Sequence, residues 1–192
     1  MIIVTSLKDH ADICDSVKAS HLISVIDPGY EPKTPSCLKN HLKLGFDDIV
    51  KLSENNIIHR EFSSNQSLGL SNQVLPNEEH IKKIIDFVST WNMSKPIVIH
   101  CWCGVSRSMA TATFILCSIF PNHIEKNIRY IRHIAPHANP NTLMLSMFEK
   151  YLRIEGKIQE AFLKYPYSIT YDCETRFAPV SIFNIKDLEN FK

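Results

Sequence analysis

The chain has 192 residues, a formal net charge of +1 at pH 7 and six cysteines. That length suits one domain with a substantial core, and the near-zero charge gives no electrostatic case for nucleic acid or an anionic membrane surface. No apolar run approaches the length that spans a bilayer.

In chain order, Ile2-Ile3-Val4 reads as a short buried strand. No basic segment followed by a long apolar stretch precedes or overlaps it, so no secretory leader is expected. Ser6 with Asp9 forms a capping-box pattern that opens a helix carrying Leu7, Ile13, Cys14 and Val17. Leu22 to Ile26 is a second strand, ended by the turn chemistry of Asp27-Pro28-Gly29. Three prolines mark residues 28–39 as loop, and His41 to Phe46 alternates as a third strand leading into Asp47-Asp48. Residues 49–75, rich in Asn and Ser, read as a long loop: an insertion, serving either as a lid or as plain surface.

Order returns at Asn77, where Glu78 and Glu79 suit a first helical turn and Ile81, Ile84, Ile85, Val88 and Trp91 share a face. A strand at 97–100 follows Lys95-Pro96, and Met109 to Phe120 is apolar nearly all round, the mark of a central buried helix. Asn122 with Glu125 is a second capping box, starting a helix to Ile134, and Asn141 to Tyr151 and Lys157 to Lys164 read as helical. The tail, 165–192, carries no motif. Alternating strands and helices predict one α/β domain over 1–192, with a small, mostly parallel sheet of four or five strands flanked by helices.

The chemistry is concentrated at residues 97–111. A buried strand that turns sharply into a helix aims the helix's free N–H groups at one point above the strand end, a ready anion site. Cys101 falls at its floor and Arg107 at its wall. The N–H groups and helix dipole favour a thiolate there, and a guanidinium grips two phosphoryl oxygens in its planar fork. Gly104 lets the loop fold its N–H groups inward. The pair His100-Cys101, followed by Trp102, Cys103, Gly104, Val105 and Ser106, then Arg107 and Ser108, matches the pattern His-Cys-x5-Arg-Ser. This segment resembles the cysteine-dependent tyrosine and dual-specificity phosphatases, and the longer pattern is similar to a small bacterial tyrosine-phosphatase group, over roughly residues 20–155.

The resemblance implies hydrolysis of phosphomonoesters through a phosphocysteine, with Cys101 as nucleophile and Arg107 and the loop 102–106 binding phosphate. It implies that Ser108 eases departure of the sulfur and that His100 supports the loop. It also implies an acid in Phe46-Asp47-Asp48, where Asp48 is preferred because paired-Asp members use the second. Fifty-three residues separate Asp48 from Cys101, a wider gap than the family leaves. Either residues 49–75 are inserted and the acid keeps its role, or the acid is lost. Asn139-Pro140-Asn141 resembles the family's structural support behind the loop.

Cys103 reads as a small loop residue in preference to a redox trap for Cys101. The cysteines at 14, 37, 101, 103, 117 and 173 lack framework spacing, which favours a reducing cytoplasm. His100-Cys101-x-Cys103 finds no matching second ligand pair for zinc, so neither metal nor cofactor is expected. The expected partner is a phosphorylated protein or peptide, with phosphotyrosine ahead of phosphoserine or phosphothreonine, no nucleic acid or membrane, and a monomer sufficient. The variable loop positions 102, 103, 105 and 106 carry no Lys or Arg, which argues against the rival phosphoinositide or RNA 5′-phosphate substrates. The other rival is a pseudophosphatase that binds phosphoproteins without turnover.

Overall fold

The computed structural model describes residues 1–53, 57–61, 67–171, 173 and 176–192. Strands β1 (Ile2–Thr5), β2 (His21–Ile26), β3 (Asn40–Gly45) and a central strand, Ile97–His100, run parallel. Two further strands between them, β4 (Ile57–Glu61) and β5 (Ser67–Asn72), form a separate antiparallel pair, which makes the central strand β6. A seventh strand, β7 (Ser181–Phe183), joins β1 antiparallel, and the main sheet has the order β3-β2-β6-β1-β7.

Every residue of β1, β2 and β6 is buried, as strands covered on both faces must be, and this is why they read as largely apolar runs, interrupted only at Thr5, His21, Ser24 and His100. Their side chains sort by the two-residue period. Ile2, Val4, Ile23, Val25, Ile97 and Ile99 enter the larger core, while Ile3, Leu22 and Val98 enter a smaller one. The smaller core lies under α1 (His10–Ser16), with Cys14 in it. The larger is filled by α2 (Glu78–Ser89), α3 (Arg107–Ile119), α4 (Ile124–Ile134), α5 (Thr142–Leu152) and α6 (Lys157–Lys164). A last short helix, α7 (Ile185–Asn190), follows β7.

At α3 the chain is buried without interruption from Arg107 to Cys117, as its all-round apolar sequence requires. Phe114 stacks on Phe148 of α5 with ring centroids 4.5 Å apart. Asn77 and Asn141 cap α2 and α5, accepting from His80 N and Met144 N at 3.0 Å each.

The expected architecture is present, and four local expectations differ. Ser6 donates to the Asp9 carboxylate at 2.9 Å in place of capping backbone, so α1 starts only at His10. At α4 the cap position is His123, with no side-chain cap, so Asn122 and Glu125 make no box. The long loop expected at 49–75 contains the β4–β5 pair, and its residues 54–56 and 62–66 lie outside the described residues. The tail supplies the edge strand β7, created by pairing with β1 more than by its own three residues.

Candidate functional site

Strand β6 ends between β1 and β2, so the loop 101–106 rises from the centre of the sheet. There it meets the loops after β2 and β3, the crevice at the carboxyl ends of parallel strands where open α/β sheets hold ligands.

Four of the loop's carbonyls are held by partners outside it. Cys101 O accepts from the His100 ring at 3.1 Å, and Trp102 O accepts from Leu7 N at 3.0 Å. Cys103 O accepts from Ala178 N at 3.2 Å, and Val105 O from Asn139 N at 3.0 Å. In a planar peptide the following N–H points the opposite way, so these four bonds turn a set of N–H groups toward the loop's centre. Gly104 N, one of that set, donates to Cys101 Sγ at 3.3 Å. Gly104 has φ +79°, and a Cβ there would stand 3.2 Å from the backbone of Thr5; the conformation strains any side chain and the space is tight. Ser106 precedes α3 without capping it, so the first N–H groups of α3 have no side-chain cap to displace.

Cys101 is buried, and its sulfur lies 3.1 Å from Ser108 Oγ. Arg107 is 2% exposed. Its Nη1 donates to Asp27 Oδ1 at 2.6 Å and to the carbonyl of Phe46. Its Nε is buried with no hydrogen-bond partner and lies 3.7 Å from Asp48 Oδ2. Asp48 Oδ1 accepts from Ser106 Oγ at 2.7 Å and Asn141 Nδ2 at 2.9 Å. Asp47 Oδ2 accepts from Val74 N at 2.7 Å while its own N donates to Val74 O at 2.8 Å. Cys101, Arg107, Asp48 and Asp27 line one cavity of about 460 Å³, and Trp102, Val105 and Ser106 form part of its wall. Trp102 is braced edge-on by Tyr30, centroids 4.9 Å apart.

Two residues at this site carried no readable sequence signal. Asp27 reads as a turn residue, and only its place at the end of β2 beside β6 brings it to Arg107. Cys173 is joined to Cys103 across 70 residues, with Cα atoms 5.4 Å apart. This corrects the reading of Cys103 as a free loop residue. Spacing along the chain holds no information about a pairing between such distant segments. The bridge and the Ala178–Cys103 bond hold the tail against the loop 101–106, and Cys173 lines the cavity. Cys14, Cys37, Cys101 and Cys117 are free.

Beneath the loop runs a chain of hydrogen bonds. Because Cys101 O only accepts, His100 Nδ1 carries the proton. Ser24 then donates to His100 Nε2 at 2.6 Å, His41 Nε2 donates to Ser24 at 2.7 Å, and Thr34 donates to His41 Nδ1 at 2.9 Å. His10 stacks on His100 at 4.4 Å. Burial, with a smaller contribution from neighbouring positive groups, pushes His100 from 6.5 down to about 3 and His41 down to about 4. Between these values and 6.5 the unfolded chain binds more protons than the folded one. Stability is therefore complete above about pH 6.5 and is lost as the pH falls toward 3. His100 alone accounts for about 2 kcal/mol at pH 5. Thermal unfolding midpoints are expected to be lower at pH 5 than at pH 7.5, with a smaller drop in His41→Gln. Midpoints that do not move would contradict a neutral buried network.

Among the described residues no cluster of three His, Cys, Asp or Glu side chains is placed to hold a metal ion, and no helix is long and apolar enough to cross a membrane.

No protein-family model matches the chain, and no curated protein matches it significantly in sequence. Solved structures do match. The human tyrosine phosphatase-like serine/threonine/tyrosine-interacting protein superposes with a TM-score of 0.57 at 13% identity, over 80% of this chain and 91% of that one. DUSP15 gives 0.54 at 17% identity, over 87% and 94%. PTPMT1, solved in complex with PI(5)P, gives 0.54 at 11% identity, over 85% and 94%. The fold is that of the dual-specificity phosphatases. The resemblance drawn from His100 to Ser108 thus holds at the level of the dual-specificity fold, and at these identities the likeness speaks for architecture alone.

Proposed function

We propose that the chain is a cysteine-dependent phosphatase acting on phosphoproteins, phosphotyrosine foremost. The observation that carries the reading is the buried, unpartnered Nε of Arg107, in a guanidinium that lines the same cavity as Cys101. A buried N–H donor without an acceptor is costly, and a phosphoryl oxygen in the cavity supplies the acceptor.

The chemistry proceeds in two steps. Cys101 Sγ attacks phosphorus in line, the S–P bond forming as the bond to the leaving oxygen breaks. Asp48 gives that oxygen a proton. With Oδ1 held by Ser106 and Asn141, Oδ2 is the oxygen that carries it. Water then attacks phosphorus, passing its proton to Asp48 as the S–P bond breaks, and Ser108 donates to the departing sulfur. Arg107 and the loop N–H groups hold the equatorial oxygens throughout.

Arg107 is the only basic side chain among the cavity's described lining residues, against three carboxylates, Asp27, Asp47 and Asp48. That balance suits a single phosphomonoester and opposes a head group with several phosphates, so the phosphoinositide seen with PTPMT1 is the weaker model for this cavity.

Wild type is expected to hydrolyse p-nitrophenyl phosphate and a phosphotyrosine peptide, with vanadate inhibiting and Cys101→Ser abolishing turnover. A folded wild type that binds phosphopeptide without turnover would favour the binding-module reading. Turnover that survives Cys101→Ser would overturn the mechanism.

A further inference from the structure

We infer that Asp27 is a positioning residue for this reaction: it fixes the plane of the Arg107 guanidinium so that its remaining donors face the phosphoryl group. The inference rests on the phosphatase reading above and extends it to a residue outside the His-Cys-x5-Arg segment.

The argument starts with burial. A guanidinium that is 2% exposed needs a counter-charge, because an unpaired buried charge is far more costly than a paired one. Asp27 Oδ1 supplies it at 2.6 Å, much closer than Asp48 Oδ2 at 3.7 Å. Geometry then does more than neutralise. Nη1 has two hydrogens, and both are taken, one by Asp27 and one by Phe46 O. Two acceptors in different directions fix the orientation of a rigid planar group, so Nη1 is spent on protein while Nε is left without a partner.

The two acceptors are themselves held in register. Phe46 N donates to Ile26 O at 2.8 Å, which ties the end of β3 to the end of β2 and sets Phe46 O beside Asp27. Tyr30 N closes a turn onto Asp27 O at 3.1 Å. Asp27 is thus anchored through its backbone on both sides. A Lys at position 107 cannot use this anchor and still grip phosphate at two points.

A purely structural ion pair predicts a different result from a positioning one. Misplacing a catalytic group by about 1 Å costs on the order of 10²-fold in rate. In Asp27→Ala, kcat for p-nitrophenyl phosphate is expected to fall by about 10²-fold, and the Kd for inorganic tungstate, measured by calorimetry, to weaken by about 10-fold. Asp27→Asn keeps an acceptor oxygen and is expected to lose only about 10-fold in kcat, a partial rescue that charge neutralisation alone does not give. Should Asp27→Ala not fold, Asp27→Asn is read by itself.

A folded Asp27 variant with a lower Tm but wild-type kcat and tungstate Kd overturns the inference and leaves the phosphatase reading intact. If wild type binds tungstate but turns nothing over, the phosphatase reading fails, and the tungstate affinities of the variants still decide Asp27. If wild type neither binds tungstate nor turns over, both fail.

Discussion

Arg107→Lys is expected to leave the fold in place and lower kcat for p-nitrophenyl phosphate by about 10³-fold. The substitution keeps one positive charge in a position buried to 2% exposure, so folding retains its counter-ion for Asp27. What it removes is the fork. Arg107 serves Asp27 and Phe46 O through Nη1 and still has Nε without a hydrogen-bond partner, in a side chain that lines the cavity. An ammonium on a flexible stem offers three donors from a single atom. Held by Asp27 it loses the phosphoryl oxygens, and drawn to phosphate it abandons its anchor. Charge on the equatorial oxygens grows in the transition state, so the deficit falls on kcat more than on KM. Circular dichroism and p-nitrophenyl phosphate kinetics on the purified variant test this together. A folded variant with more than a tenth of wild-type kcat would show that charge alone suffices.

Asp48→Asn is expected to cost about 10²- to 10⁴-fold for a substrate with a poor leaving group and much less for p-nitrophenyl phosphate. The asymmetry follows from what the carboxyl supplies, since a nitrophenolate departs with little help and an alkoxide does not. The basic limb of the pH–rate profile should vanish with it. Asn at this position still accepts from Ser106 and Asn141 through Oδ1, so the loop keeps its place. Asp47→Asn provides the contrast. Its carboxylate takes the Val74 N–H, an acceptor role that an amide oxygen repeats, so stability shifts modestly and the pH profile keeps its shape. Equal losses from the two substitutions, or none from either, would remove Asp48 from the acid role.

What could be read without coordinates was what the chain states locally. The strands at 2–5, 21–26 and 97–100 announce themselves because strands buried on both faces favour apolar side chains at most positions, and of the exceptions Ser24 and His100 are hydrogen-bonded to each other. Asn77 and Asn141 cap as their side chains suggest. The loop between β6 and α3 is contiguous, so Cys101, Gly104, Arg107 and Ser108 fall together in one line of sequence.

The departures have different causes, one a local competitor and the others long-range. Ser6 had the spacing of a capping residue but found the Asp9 carboxylate, a charged acceptor that outcompetes backbone. Gly156, in the cap position of α6, has no side chain to offer, and the buried Glu149 takes its place, accepting from Ile158 N at 2.6 Å and Gln159 N at 3.0 Å. Asp27 and Cys173 reach the cavity from 74 and 72 positions away from Cys101, through sheet order and tail path. No local pattern encodes either. The β4–β5 pair lacks a sustained apolar alternation in Ser67-Leu68-Gly69-Leu70-Ser71-Asn72, and the three residues of β7 have little propensity of their own to display.

The position of β1 between β6 and β7 has a consequence for biosynthesis. Ile2 pairs with Ile97 on one side and Phe183 on the other. The first strand is therefore synthesised long before either neighbour, and until residues 97–100 follow, the nascent chain carries an unpaired, largely apolar segment. Such a segment is a template for wrong pairing until it is covered, and its last hydrogen bonds wait for residues 181–183. Closure of the sheet through β7 is thus the last of its strand pairings to become possible in chain order.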